Sequence, residues 1–135
     1  MRNFEDVRTH VATRYTLRHN DPYLISFDLE LDHGRRRQSM FLAEIEGEEE
    51  GRYLRISTAL APVGELDPLK ALVFNWEQRV GYLALSELEG VPYLHLCENR
   101  RFRWLSRDEI DFLIQEIGTQ GDRLERFITQ GRDQT

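Results

Sequence analysis

Residues 106–129 read SRDEIDFLIQEIGTQGDRLERFIT, and the rest of the chain is organised around this stretch. Ser106 followed three residues later by Glu109 is a capping box, which marks a helix start. Ile110, Leu113, Ile114, Ile117, Leu124 and Ile128 then recur at helical spacing on one stripe, with acids, amides and arginines elsewhere. A stripe of this kind needs an apolar surface to cover. The alternating segments between Tyr23 and Cys97 supply one. Gly118 and Gly121 interrupt the pattern and are expected to loosen or bend the helix.

Upstream, Ile25, Phe27, Leu29 and Leu31 alternate with Ser26, Asp28, Glu30 and Asp32, which describes a half-buried strand with one wet face. A turn at His33-Gly34 leads to a second strand over 38–46. The acidic run 47–51 reads as a solvated hairpin tip, and a third strand over 52–60 places Leu54, Ile56 and Leu60 on one face. Consecutive strands joined by short polar turns form an antiparallel meander. Asp67-Pro68 is an N-cap followed by proline in the first helical turn. Leu69, Leu72, Val73 and Trp76 give that helix a core stripe ending near Gln78. Strands over 81–86 and 91–98 follow, joined through Glu89-Gly90, and residues 100–103 lead into the last helix. At the other end Phe4, Val7 and Val11 define a short helix over 3–14, with Asn3 as its cap and Asp6 standing in for a capping-box glutamate. Residues 19–22 carry turn chemistry, and 15–18 have no assignable state.

The order α-β-β-β-α-β-β-α, with hairpins, predicts an α+β two-layer domain whose antiparallel sheet has about five strands. One domain is expected over 1–130, followed by a frayed tail at 131–135.

The chain of 135 residues carries a formal net charge of −6, which argues against a nucleic-acid partner. Its basic residues are almost all arginine, with Lys70 the sole lysine; a genome favouring arginine codons accounts for this more simply than selection for arginine chemistry. Cys97 is the only cysteine, so no intramolecular disulfide forms and a reducing compartment is expected. The first ten residues are charged and lack the apolar core of a signal peptide, and apolar runs such as 71–74 are too short to span a bilayer. These features lead us to expect a soluble, cytoplasmic protein without a membrane partner.

Few residues suggest chemistry. His95 and Cys97 lie two apart on one strand and so share a face, which could begin a zinc site. His10, His19 and His33 stand in no ligand spacing with them, and a packed strand pair is the plainer role. A nucleophilic Cys97 would need a base and an orienting group, and no spacing provides either. Gly34, Gly47, Gly51 and Gly90 fall at hairpin tips rather than in a phosphate-cradling loop. The carboxylates are spread along wet faces, so no acid/base pair stands out. No enzyme, metal or cofactor is expected. The basic clusters 35–37 and 100, 101 and 103 follow turns, where solvated or ion-paired charge is ordinary. More informative are the apolar side chains that miss the core stripes. Phe74 lies far round the second helix from Leu69, and Phe112 lies off the stripe of the last helix. If the leucine face of the sheet receives the helices, its other face carries Tyr53, Arg55, Tyr82, Tyr93 and His95. Tyr and Arg on a partly apolar surface favour partner binding.

The segment Asn75–Ser86, the hairpin through Gly90, the start 106–110 and Asp-Arg-Leu-Glu at 122–125 together resemble the YbjN-type family over roughly residues 52–127. That family is described as regulators of bacterial sensory transduction with the fold of type III secretion chaperones. The resemblance implies a small acidic homodimer that binds other proteins, without a catalytic motif. Secretion chaperones of this fold dimerise through the middle helix and wrap extended peptides over the sheet. Carried over, Leu72, Phe74 and Trp76 of the second helix form the dimer interface; the sheet-face residues Tyr53, Arg55, Tyr82, Tyr93 and His95, with Phe112, are the candidate contacts for an unidentified protein partner. The alternative from another class is a small-molecule or metal-sensing domain built on His95, Cys97 and the tyrosine face.

Overall fold

The computed structural model describes residues 1–47, 52–64 and 66–133. The acidic tip at 47–51 therefore lies, apart from Gly47, outside the described residues, as do 134 and 135.

The first helix, α1 (Phe4–Ala12), is capped by Asn3, whose Oδ1 accepts the Asp6 N–H at 3.0 Å. Asp6 bonds back to the N–H of Arg2 at 2.9 Å, one residue earlier than a standard capping box. Five strands follow the expected order with modest extensions: β2 (Leu24–Leu31), β3 (Arg36–Glu46), β4 (Arg52–Pro62), β5 (Tyr82–Leu88) and β6 (Val91–Arg101). A sixth, β1 (His19–Asn20), forms inside the region read as a turn, because His19 and Asn20 pair with Ser26 and Ile25 of β2. The short helix α2 (Pro68–Glu77) links β4 to β5, and the long helix α3 (Arg107–Asp133) closes the chain. The sheet is antiparallel throughout, with strand order β1-β2-β3-β4-β6-β5. The α+β two-layer reading holds, with six strands instead of about five.

The core lies between α3, α1 and one face of the sheet. Ile25, Phe27 and Leu29 of β2, Met40 and Leu42 of β3, Leu54 and Ile56 of β4, and Leu96 of β6 are all buried there. Ile110, Leu113, Ile114 and Ile117 meet them from α3, and Val7 and Val11 from α1. Each such side chain contributes about 1.5–3 kcal/mol by leaving water. Tyr15, in the segment without an assigned state, stacks on Phe27 at 4.3 Å between ring centroids. His10 Nε2 lies 2.8 Å from Asp111 Oδ1, tying α1 to α3. Ser106 caps α3 as expected by accepting the Glu109 N–H at 3.1 Å.

Gly118 and Gly121 do not loosen α3. They are where it presses hardest on the sheet. A Cβ at Gly118 would overlap Leu29 Cδ2, and one at Gly121 would stand 2.5 Å from Thr58 Cγ2. Beneath Gly121 a buried polar pair, Gln38 Nε2 to Thr58 Oγ1 at 2.8 Å, is completed by Thr58 donating to the Ser39 carbonyl at 2.7 Å.

Replacing Gly118 with alanine sets two effects against each other. The helix gains about 1 kcal/mol in propensity, while forcing Leu29 aside in a packed core costs about 1–3 kcal/mol. We expect Gly118→Ala to lower stability by about 1 kcal/mol and Tm by several degrees. Urea and thermal unfolding measure it, and a stabilised variant would show that the helix seat is loose.

Candidate functional site

Strand residues that alternate with the core positions face the sheet's other side, which no described helix covers. Tyr53 and Arg55 of β4, Tyr82 of β5, and Tyr93 and His95 of β6 all lie there half-buried, as the sequence predicts. The structure adds what joins them. Because β6 runs on to Arg101, Asn99 and Arg101 also reach this face, directly opposite Arg55 and Tyr53. Asn99 accepts from Arg55 Nε at 3.1 Å and donates to the Tyr82 hydroxyl at 2.9 Å. Arg101 Nε donates to the Tyr53 hydroxyl at 3.2 Å, and its guanidinium lies 5.4 Å from the Trp104 ring centroid. Arg103 stacks on the same indole at 5.3 Å. Trp104 is 69% exposed, held in a 3₁₀ turn (Phe102–Trp104) between buried Phe102 and Leu105. Asn99 and Trp104 were not singled out from the sequence. The period-two run Tyr93, His95, Cys97, Asn99, Arg101 carried the signal past residue 98.

Phe112 does not belong to this face. It is half-exposed on α3, in the helical layer on the opposite side of the sheet. Tyr93 lies further along β6, beside His95 at 6.3 Å between ring centroids.

His95 and Cys97 share the face but form no ligand set. Burial pushes the Cys97 thiol up to about 11, with Arg55 acting against the shift and Glu98 adding to it. A thiol so hard to ionise is a poor nucleophile. No group of three His, Cys, Asp or Glu side chains is placed to hold a metal among the described residues. His95 Nε2 is enclosed without a hydrogen-bond partner, and burial holds its pKa below the ordinary value, with a smaller opposing contribution from the Ser86 backbone.

The second surface is α2, and here the expected packing is reversed. Leu69, Leu72, Val73 and Trp76, read as the core stripe, point outward at 73, 66, 54 and 89% exposure. Phe74, read as the outlier, packs against the core instead. Phe74 is joined in this by Asn75. Its Oδ1 accepts the Leu83 N–H at 2.7 Å and its Nδ2 donates to the Leu83 carbonyl at 3.2 Å. The side-chain amide thus takes the place of a neighbouring strand at the sheet edge, where unpaired backbone groups are a liability. With Asn75 turned to β5 and Phe74 against the core, the stripe, which lies across the helix from Phe74, faces solvent. Leu85 adds a further exposed apolar side chain on the same edge strand. Behind α2, an apolar groove of about 360 Å³ runs to α3, lined among others by Leu60, Leu66, Phe74, Leu94, Leu124 and Phe127.

Among solved structures, the chain is similar to one in the structure of the HopA1–SchA chaperone–effector complex. The TM-score is 0.59 at 13% identity, over 90% of this chain and 89% of that one. The fold is type III secretion chaperone-like. A crystal structure of an uncharacterized protein from Methanothermobacter thermautotrophicus also matches, with a TM-score of 0.52 at 14% identity over 95% and 96% of the two chains. Neither a family model nor a curated protein sequence matches. The chaperone-like fold expected from the resemblance holds, while the YbjN-type assignment rests on the sequence motifs alone. No described helix is long and apolar enough to cross a membrane.

Two outcomes check this geometry. Asn75→Asp keeps the shape but loses the amide donor and sets a carboxylate against the Leu83 carbonyl. We expect a loss of about 1–3 kcal/mol and faster hydrogen exchange at the Leu83 amide; unchanged exchange would mean that the edge is held by something else. For His95, a folded-state pKa below the unfolded value of about 6.5 means that the unfolded chain takes up the proton first. Its contribution is therefore intact above that pH and is lost as the pH falls toward the folded value. Wild-type stability should drop more steeply between about pH 7 and pH 5 than that of His95→Phe in paired urea titrations; parallel curves would place the pH dependence elsewhere.

Proposed function

We propose that this chain is a non-enzymatic protein-binding module, chaperone-like or regulatory, that works as a homodimer. The observation that carries the reading is the outward apolar stripe of α2. Four large side chains, Leu69, Leu72, Val73 and Trp76, stand in water on one rigid helix while the core is filled without them. Clustered exposure of that kind marks an interaction site more often than chance. A second α2 related by a two-fold axis presents the same stripe, and a self-complementary patch is what an isologous interface requires. Leu72 and Trp76 are the contact residues on this reading. Phe74 acts from behind, wedging α2 against the core, rather than in the interface itself.

The fold supports the protein-binding part. HopA1–SchA is a complex of a chaperone with its effector, which makes a protein the natural kind of partner here too. The open sheet face, with Tyr53, Arg55, Tyr82, Tyr93 and His95, is the surface offered to it. Backbone pairing along the β5 edge beyond Leu83 adds a second means of attachment. Membership of the YbjN-type family, on Asn75, the 81–85 strand and 122–125, belongs to the same reading, as does a cytoplasmic setting. A metal-sensing role at His95 and Cys97 lacks a third His, Cys, Asp or Glu ligand among the described residues.

Light scattering should give the mass of a dimer at micromolar concentration. Trp76→Asp should give a monomer with unchanged circular dichroism, since Trp76 is 89% exposed and leaves no cavity. A monomeric wild type at that concentration would remove the dimer from the proposal.

A further inference from the structure

Several arginines have carboxylate partners, Arg18 on the open face and Arg52 and Arg100 on the helix side of the sheet. Arg18 is neutralised by Asp28 at 3.1 Å, Arg52 lies 3.7 Å from Glu44, and Arg100 is neutralised by Glu98 at 2.8 Å. Arg55, Arg101 and Arg103 differ. Their guanidiniums are held by neutral groups: the Asn99 amide, the Tyr53 hydroxyl and the Tyr53 and Trp104 rings. No carboxylate pairs with any of the three among the described residues. Stacking and hydrogen bonding orient each guanidinium without cancelling its charge, in a protein whose net charge is −6. The supports are rigid. Tyr53 and Arg101 are cross-strand neighbours on β4 and β6, and Trp104 sits between buried Phe102 and Leu105.

We propose that the Tyr53–Arg101–Trp104–Arg103 stack, with Arg55 beside it, seats a carboxylate-rich segment of a protein partner. A pre-oriented guanidinium donates two parallel N–H···O bonds to a carboxylate, and the flanking rings cover the apolar part of the peptide. Charge complementarity selects this occupant: three guanidiniums gathered at one end of the face, none with a carboxylate partner among the described residues. A nucleic acid would offer anions too, but the acidic remainder of the protein repels an extended polyanion, whereas a short acidic segment meets only the local cations. The inference rests on the protein-binding reading and names the chemistry of the partner.

Fluorescent deca-glutamate, titrated into the full chain at low salt and followed by anisotropy, tests it. Deca-lysine and a ten-nucleotide oligothymidylate serve as comparison probes. Wild type should bind deca-glutamate saturably and leave deca-lysine free at the same concentrations. Arg101→Gln combined with Arg103→Gln should weaken binding by about tenfold or more, as expected for loss of charge-assisted hydrogen bonds. Arg35→Gln combined with Arg37→Gln, at exposed positions by the start of β3, the opposite end of that strand from Ile45 beside Tyr53, should leave it unchanged. Trp104→Ala, at a mostly exposed side chain, provides a second variant that spares the fold, and it should also weaken binding. The proposal is overturned if deca-glutamate does not bind, or if the Arg35/Arg37 variant loses as much as the Arg101/Arg103 variant. It is also overturned if oligothymidylate binds equally well through Arg101 and Arg103. A wild-type dimer that ignores deca-glutamate overturns this inference and leaves the protein-binding reading standing. Deca-glutamate binding by a monomer supports the inference while the dimer fails.

Discussion

The structure depends on how closely α3 can lie on its sheet. A helix of 27 residues crosses the inner face with two glycines against it, and at Gly118 and Gly121 there is no room for even a methyl group. That approach lets Ile110, Leu113, Ile114 and Ile117 reach the side chains of the central strands, so α3 and α1 complete most of one apolar layer, with Phe102, Leu105 and Phe74 at its margin. The consequence is negative as well as positive. With both helices on one side, nothing described lies on the other, and the alternation of the strands leaves tyrosines, arginines and an asparagine to face solvent.

A second constraint acts at the sheet edge. Strand β5 is outermost, and the Leu83 peptide group would lack partners on its outer side. Asn75 supplies both of them. Two hydrogen bonds to a strand edge, with Phe74 packed against the core, hold α2 with its apolar stripe outward. Leaving a backbone donor and acceptor unpaired costs about 1–3 kcal/mol apiece, whereas an exposed stripe can regain its burial in an interface. The energetic balance thus links a polar contact inside the monomer to an apolar surface outside it.

Much of this was legible in the residues. The capping box at Ser106, the Asp67-Pro68 start and the alternation from Ile25 to Leu31 located their elements because each rests on local backbone chemistry. The tyrosine face was also readable, since period two assigns Tyr53, Tyr82 and Tyr93 to one side once Leu54, Leu83 and Leu94 are assigned to the other. The stripe of α2 was misread for a physical reason: periodicity shows which residues share a helix face, but not which face the rest of the molecule takes. Phe112 was grouped with the tyrosines by exposure alone, and the layers separate them. Residues 100–103 looked like a lead into a helix because their charge suggested a loop. Pairing with β4 instead carries β6 through Arg101.

The sequence by itself determined the order of elements, their caps, the core stripe of α3 and the division of each long strand into a wet and a dry side. These follow from interactions between residues a few positions apart. Only the tertiary structure decided that the glycines of α3 are contact points rather than hinges, that Asn75 and Phe74 turn the apolar side of α2 to solvent, and that Tyr53, Arg101 and Trp104 come together. Each of those depends on which strand lies beside which, and strand order is set by the packing of the whole chain rather than by any local pattern.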